Sequence, residues 1–230
     1  MTDFTGSFGS PTAVRAPAAA VLLVLAMLAS PAASAGEPSE PRSLESLMAA
    51  FASMPGLSAR FREEKRMTLL REPLTSRGAI YFAPPDRLAR WVEEPVPSRL
   101  LLDGSGLAYS GDGRSGRLDV GQHPTMGQFV DSLRMILGGD LAGLRELYEI
   151  EYEAGVGGDP EAWRARLVPR RESLGRFLAE LRIRGRGVSV SRFQIRERGG
   201  DTTDMQFSEV DGARHFDPEE LALRFGMPGS

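Results

Sequence analysis

A chain of 230 residues with 41% apolar side chains can bury one core, or two small ones. Its formal net charge of −3 argues against a dedicated nucleic-acid binder, which needs a strongly basic face. It has no cysteine, so disulfides and a lipid-acylated cysteine are both excluded.

The cations are almost all arginine, Lys65 being the single lysine. Arginine's planar fork suits phosphate and carboxylate, but a GC-rich coding sequence gives the same bias, and composition does not separate the two.

The first 35 residues differ from the rest. Arg15 precedes the apolar run APAAAVLLVLAMLA, and ASA then closes at Ala35 with small residues where a signal peptidase reads. Charge, short apolar segment and A-x-A site in that order predict a secretory signal peptide over 1–35, cleaved after Ala35. An uncleaved membrane anchor is the alternative, although the run is short for a span of about 20 residues. Residues 36–43 read as a flexible polar leader and 44–230 as one domain. A cleaved, cysteine-free product is expected to be soluble in the periplasm.

SLESLMAAFASM places Leu44, Leu47, Met48 and Phe51 at helical spacing behind Ser43, and Pro55-Gly56 ends the pattern. Period two follows: Leu57, Ala59, Phe61 and Met67 on one face, Arg60, Arg62, Glu64 and Arg66 on the other, with Glu63 and Lys65 interrupting the apolar face. AIYF and LARWV are strands parted by Pro84-Pro85-Asp86, and SRLLLDGSGLAYSG is a hairpin turning at DGSG. The middle turns helical. Met126, Phe129, Val130, Leu133, Ile136 and Leu137 share one stripe, Ser132 falls off it, Thr125 and Gln128 form a capping box, and Gly138-Gly139 ends the helix. Asp140 caps a short helical turn through Leu147. YEIEYE and AWRARLVP alternate as strands, and FLAELRIRG reads as helix then strand. VSVSRFQIRERGGDTTDMQFSEVD is a hairpin closed at Gly199-Gly200-Asp201, and Asp217-Pro218 starts a last helix. The expected fold class is α+β: a strongly curved antiparallel sheet forming an incomplete, half-open β-barrel, covered by a helical lid.

Catalytic patterns are absent. Ser105 and Ser110 lie outside G-x-S-x-G, and His123 and His215 belong to no metal-ligand spacing. The acid pairs Glu63-Glu64, Glu93-Glu94 and Glu219-Glu220 are adjacent, so on a strand the two carboxylates point to opposite faces. No phosphate-cradling glycine loop is present. Neither catalytic residues nor a cofactor is expected. What remains is apolar surface: a helix that closes imperfectly on a single curved sheet leaves an apolar cavity, and barrels of this kind commonly hold a ligand.

Several stretches, in this order, carry a family resemblance: FREEKR (61–66), SRGAIYFAPPDRLARW (76–91), LLLDG (100–104) and DSLRMILGGD (131–140). Behind a signal peptide, and over about Leu44 to Glu209, the chain resembles the LolA-type outer-membrane lipoprotein carriers, in a divergent LolA-related branch. The resemblance implies an incomplete barrel with a helical lid over a hydrophobic cavity. It implies a non-catalytic, monomeric periplasmic carrier of acylated cargo, a lipoprotein or another lipid, between an inner-membrane transporter as donor and an outer-membrane acceptor. Phe61, Met67, Tyr81, Trp91, Leu101, Met126, Phe129, Val130, Leu133 and Leu137 would line the cavity and lid. Typical carriers tie down the lid with an arginine where this chain has Pro84, which leaves Arg87 or Arg90 as candidates for that role, a plain surface arginine being the other reading of each. Two other functions compete: a periplasmic interaction subunit of a lipid or polyene exporter, and a lipid hydrolase.

Overall fold

The computed structural model describes residues 43–104, 106–119 and 124–226; the expected signal peptide and its cleavage site lie outside them. The chain enters on helix α1 (Leu44–Ala52), whose first turn is closed by Ser43 Oγ accepting from the Ser46 N–H at 3.2 Å. Six strands follow: β1 (Leu57–Arg66), β2 (Leu74–Ala83), β3 (Arg87–Glu94), β4 (Ser98–Asp103), β5 (Gly106–Gly111) and β6 (Arg114–Asp119). Helices α2 (Pro124–Leu137) and α3 (Leu141–Leu147) come next, then β7 (Tyr148–Ala154), a 3-10 turn and β8 (Ala162–Pro169). The short α4 (Glu172–Gly175), β9 (Leu178–Arg186), β10 (Ser189–Glu197), β11 (Thr202–Asp211) and α5 (Pro218–Phe225) complete the chain.

The eleven strands form one antiparallel sheet in the order β6-β5-β4-β3-β2-β1-β11-β10-β9-β8-β7. First and last strands meet at its centre, where Phe61 pairs with Phe207 and Glu63 with Met205. Every other pairing is a hairpin between sequence neighbours, so local turn chemistry builds most of the sheet. The sheet curves into an open barrel, with β6 and β7 as its edges.

Alternation decides the two faces. In β1, Leu57, Ala59, Phe61, Glu63 and Lys65 are buried, and the residues between them are half-buried or exposed. The interior joins these apolar side chains to Ile80, Phe82, Leu88, Leu102 and Leu107 on one half of the sheet. On the other half it takes in Trp163, Leu167, Leu181, Phe193 and Met205. Helices α1 to α4 close this face through Leu47, Phe51, Val130, Ile136, Leu144 and Leu174. Glycine is required where strands crowd: a Cβ on Gly78 would stand 1.9 Å from the Trp91 carbonyl oxygen.

Several expectations need correction. FLAELRIRG holds no helix; it is strand β9 from Leu178, preceded by the single turn α4. Helix α2 begins at Pro124, so Thr125 lies inside it and is not its cap. Gln128 instead accepts from Ser173 Oγ on α4 at 2.7 Å. Strand β6 was not foreseen, although its turn is marked: Asp112 and Gly113 both take positive φ, the pattern of a tight two-residue hairpin turn.

Candidate functional site

The interior is apolar at its centre and ionic toward one rim. Phe61 is 3% exposed and lies on the floor of the curved sheet, while Val130 and Leu137 of α2 face it from the helical layer. These three expected site residues share one interior. The side chains of Met126, Phe129 and Leu133 lie outside the described residues. Between α1, α2, α3 and the inner faces of β7 to β10 is a pocket of about 30 Å³ with a wholly apolar lining, including Leu44, Met48, Phe51, Ile136, Leu144 and Trp163. That is roughly one water's worth of space, against the 300 Å³ or more of an ordinary ligand pocket. An acyl chain could enter this seam only if the helices moved off the sheet.

Four expected cavity residues sit elsewhere. Met67 follows the end of β1 and is half-buried in the β1–β2 loop. Tyr81, Trp91 and Leu101 are on the outer face of the sheet. The parity is unambiguous: Ile80, Phe82, Leu88, Val92, Leu100 and Leu102 point in, so the residues between them point out. Leu101 packs with Ala89 and Ala108 in a second cluster that Tyr81, Trp91 and Phe225 border.

Helix α5 covers this outer cluster. Asp217 caps it, accepting from the Glu220 N–H at 2.8 Å, and Pro218 occupies the first turn. The Tyr81 and Trp91 rings meet edge to face at 5.6 Å, and Phe216 bridges Tyr81 to Phe225. Two guanidinium groups approach the Trp91 ring, Arg99 at 3.8 Å and Arg224 at 5.2 Å from its centroid. Its indole N–H donates to the Arg224 carbonyl at 3.1 Å. The aromatic pair therefore seats the C-terminal helix.

Sequence reasoning did not foresee the ionic rim as a unit. Glu63 and Lys65 of β1 face inward at 5% and 4% exposure. Arg90 of β3 reaches across to donate from Nη2 to Glu63 at 2.9 Å and to Ser76 Oγ at 3.3 Å, with its guanidinium 4.6 Å over the Phe61 ring. Lys65 meets Glu197 at 3.3 Å. Burial pushes the Glu63 carboxyl above its usual value, with the Arg90 charge and hydrogen bond and the Lys65 charge opposing it. Arg90 Nε, and Nε and Nη2 of Arg134 on α2, are buried donors without hydrogen-bond partners. Of the two arginines considered for lid control, Arg90 faces the interior, whereas Arg87 has the outward parity of Ala89 and Trp91. Ser132, expected off the stripe, is fully buried and hydrogen-bonded to the Tyr148 hydroxyl at 2.9 Å. Burial raises that phenol to about 12, against the opposing hydrogen bond.

An open antiparallel sheet with its concave face filled from a helical layer is the arrangement to set beside known families. The family model described as outer membrane lipoprotein carrier protein LolA-like matches residues 36–214, most of the chain. The chain belongs to this LolA-like family. Helix α5 lies beyond the matched residues. No curated protein matches the chain. Among solved structures, it is similar to a LolA superfamily protein from Nitrosomonas europaea, at 10% identity, 80% of this chain, 97% of that one and a TM-score of 0.43. A DUF1329 family protein from Desulfovibrio piger shows 10% identity over 78% and 93% of the chains, with a TM-score of 0.47. LprF from Mycobacterium bovis shows 12% identity over 79% and 99%, with a TM-score of 0.36. Among the described residues, no helix is long and apolar enough to cross a membrane.

Proposed function

We propose that the protein is a non-catalytic periplasmic carrier that takes the acyl chains of a lipoprotein or lipid between its helical layer and its sheet, moving them from the inner toward the outer membrane. The observation that carries this reading is the wholly apolar seam between α1–α3 and the concave sheet, in a chain of the LolA-like family. The physics fits a carrier. Each buried methylene gains roughly 0.8 kcal/mol, so a chain of a dozen gains on the order of 10 kcal/mol over water. A bilayer offers the same gain. The interior therefore competes with hydrocarbon, and loading and release must stand near balance, tipped by opening and closing of the helices.

Native mass spectrometry of protein purified from its own host tests the reading. A carrier is expected to retain acyl lipid, released on denaturation and identified by extraction. Protein that is lipid-free throughout, yet held by an inner-membrane transporter, would favour the interaction-subunit reading. Steady turnover of acyl esters would favour a hydrolase.

A further inference from the structure

Six large apolar side chains are exposed among the described residues, and four of them belong to two loops at the same end of the sheet. Leu69, Leu70 and Leu74, at 89%, 45% and 52% exposure, belong to the β1–β2 loop and the residue that follows it. Val96, at 51%, is the tip of the β3–β4 loop. Strands β2 and β3 are paired neighbours with Arg77 opposite Glu94, so Leu74, the first residue of β2, and Val96, just past the end of β3, lie at the same end of the sheet. An isolated exposed leucine needs no explanation, but four apolar side chains on two adjacent loop tips do.

We infer that these two tips are a membrane-docking element that enters the interfacial layer of a lipid bilayer. The backbone supports this occupant. Moving a peptide N–H out of water is costly unless it is hydrogen-bonded within the protein. Here the Leu70 N–H donates to the Met67 carbonyl at 3.0 Å, and the Thr68 N–H to Asp201 Oδ1 on the neighbouring β10–β11 turn at 2.8 Å. Val96 sits between Pro95 and Pro97, which have no N–H to desolvate, and Pro73 precedes Leu74. The tips are thus held in shape with several of their donors already satisfied or absent. The patch is made of separate, exposed side chains on loop tips, which suits a fluid layer better than a shaped protein pocket. Charges of both signs stand beside it: Arg66 pairs with Glu64 at 2.6 Å, Arg77 pairs with Glu94, and the exposed Arg71 is followed by Glu72 in the same loop, so the tips carry no net positive field. Attraction is therefore apolar, and a few leucines give weak, reversible attachment. This surface is independent of what the interior carries.

The absence of cysteine allows single labels. Leu69→Cys carrying a polarity-sensitive fluorophore is mixed with phosphatidylcholine vesicles, alongside Leu223→Cys on α5, a leucine 55% exposed outside the patch. The label at 69 is expected to shift to the blue and brighten at low and high salt, and the label at 223 to stay unchanged. The double variant Leu69→Ser/Leu70→Ser is expected to partition into the same vesicles about tenfold less than the parent. The Leu223→Ser variant should partition like the parent. All proteins are prepared identically, so any contribution of the N-terminal apolar run is common to them. A label at 69 that remains in water, equal shifts at 69 and 223, or unchanged partitioning of the double variant each overturns the inference. The first of these would leave a protein as the partner of the tips.

Discussion

Breaking the Glu63–Arg90 pair should cost stability in a way that depends on which partner is removed. Both side chains are more than nine-tenths buried and their contact is 2.9 Å. Removing one partner of such a pair costs about 3–5 kcal/mol, because the other charge is left without compensation. In Arg90→Met the orphan is a carboxylate, which can escape by taking up a proton. The cost of that proton at pH 7 is about 1.36 × (7 − 4.3), near 4 kcal/mol, and at pH 5 it falls to about 1 kcal/mol. In Glu63→Gln the orphan is a guanidinium, which cannot shed its proton at any usable pH.

The sign follows from linkage. With Arg90 gone, desolvation raises the folded-state value of Glu63 far above its unfolded value, and Lys65 and Ser76 oppose this only in part. The folded variant then holds a proton that the unfolded chain releases, so its stability falls as pH rises through that window. Urea unfolding of wild type and both variants at pH 7 and pH 5 measures the difference. Relative to wild type at each pH, Arg90→Met should recover about 2–3 kcal/mol on going to pH 5, and Glu63→Gln less than about 1 kcal/mol. Equal recovery by the two variants, or none by Arg90→Met, would refute the idea that desolvation governs this rim.

The cargo proposal predicts that Leu44→Glu, at the half-buried mouth of the apolar seam, folds but retains much less lipid on native mass spectrometry than the parent. Asp131→Lys, on the exposed side of α2, should retain as much as the parent. Ser132→Ala should destabilise by about 1–3 kcal/mol in urea unfolding, since it strips the buried Tyr148 hydroxyl of its partner. Ser132→Ala combined with Tyr148→Phe should restore much of that loss, because no polar atom is then orphaned. Removal of residues 216–230 should shift Trp91 emission to the red and open it to acrylamide, while Trp163, 4% exposed in the interior, reports no change. Lipid retention should survive that truncation, because α5 and Trp91 lie on the outer face.

The features readable from sequence are those decided within a few residues. Ser43, Asp140 and Asp217 each cap the helix expected of them, because a cap needs only a side-chain oxygen and an N–H three residues on. The hairpin at Gly199-Asp201 and the alternation of β1 and β8 are local in the same sense. Pairings that span the fold were not readable. Arg90 lies 27 residues from Glu63 and Tyr148 lies 16 from Ser132; Glu63 appeared in the sequence only as an interruption of an apolar face, and Ser132 only as a polar residue off the helix stripe. An interruption of that kind shows that a partner is needed without saying where it is.

The misplacement of Tyr81, Trp91 and Leu101 has a different cause, and the same strands contain the remedy. Where a sheet is covered on one face only, its strands alternate strictly. That is how YEIEYE and AWRARL read, with Glu151, Glu153, Arg164 and Arg166 on the solvated side. AIYFA, LARWV and RLLL instead run apolar through both parities. Such a run belongs to a strand buried on both faces. On this half of the sheet the helical layer covers one face, through Val130 among others, and α5 covers the other. Aromatic bulk could not say which parity pointed inward, because both parities are buried. The charged residues could: Arg90 shares the parity of Leu88 and Val92, as Glu63 and Lys65 share that of Phe61, and charges buried on one parity of two strands with only β2 between them must answer each other in the interior. In this protein the inward parity of β2 and β3 is marked by its ion pair, and the largest rings are left to the face that holds the C-terminal helix.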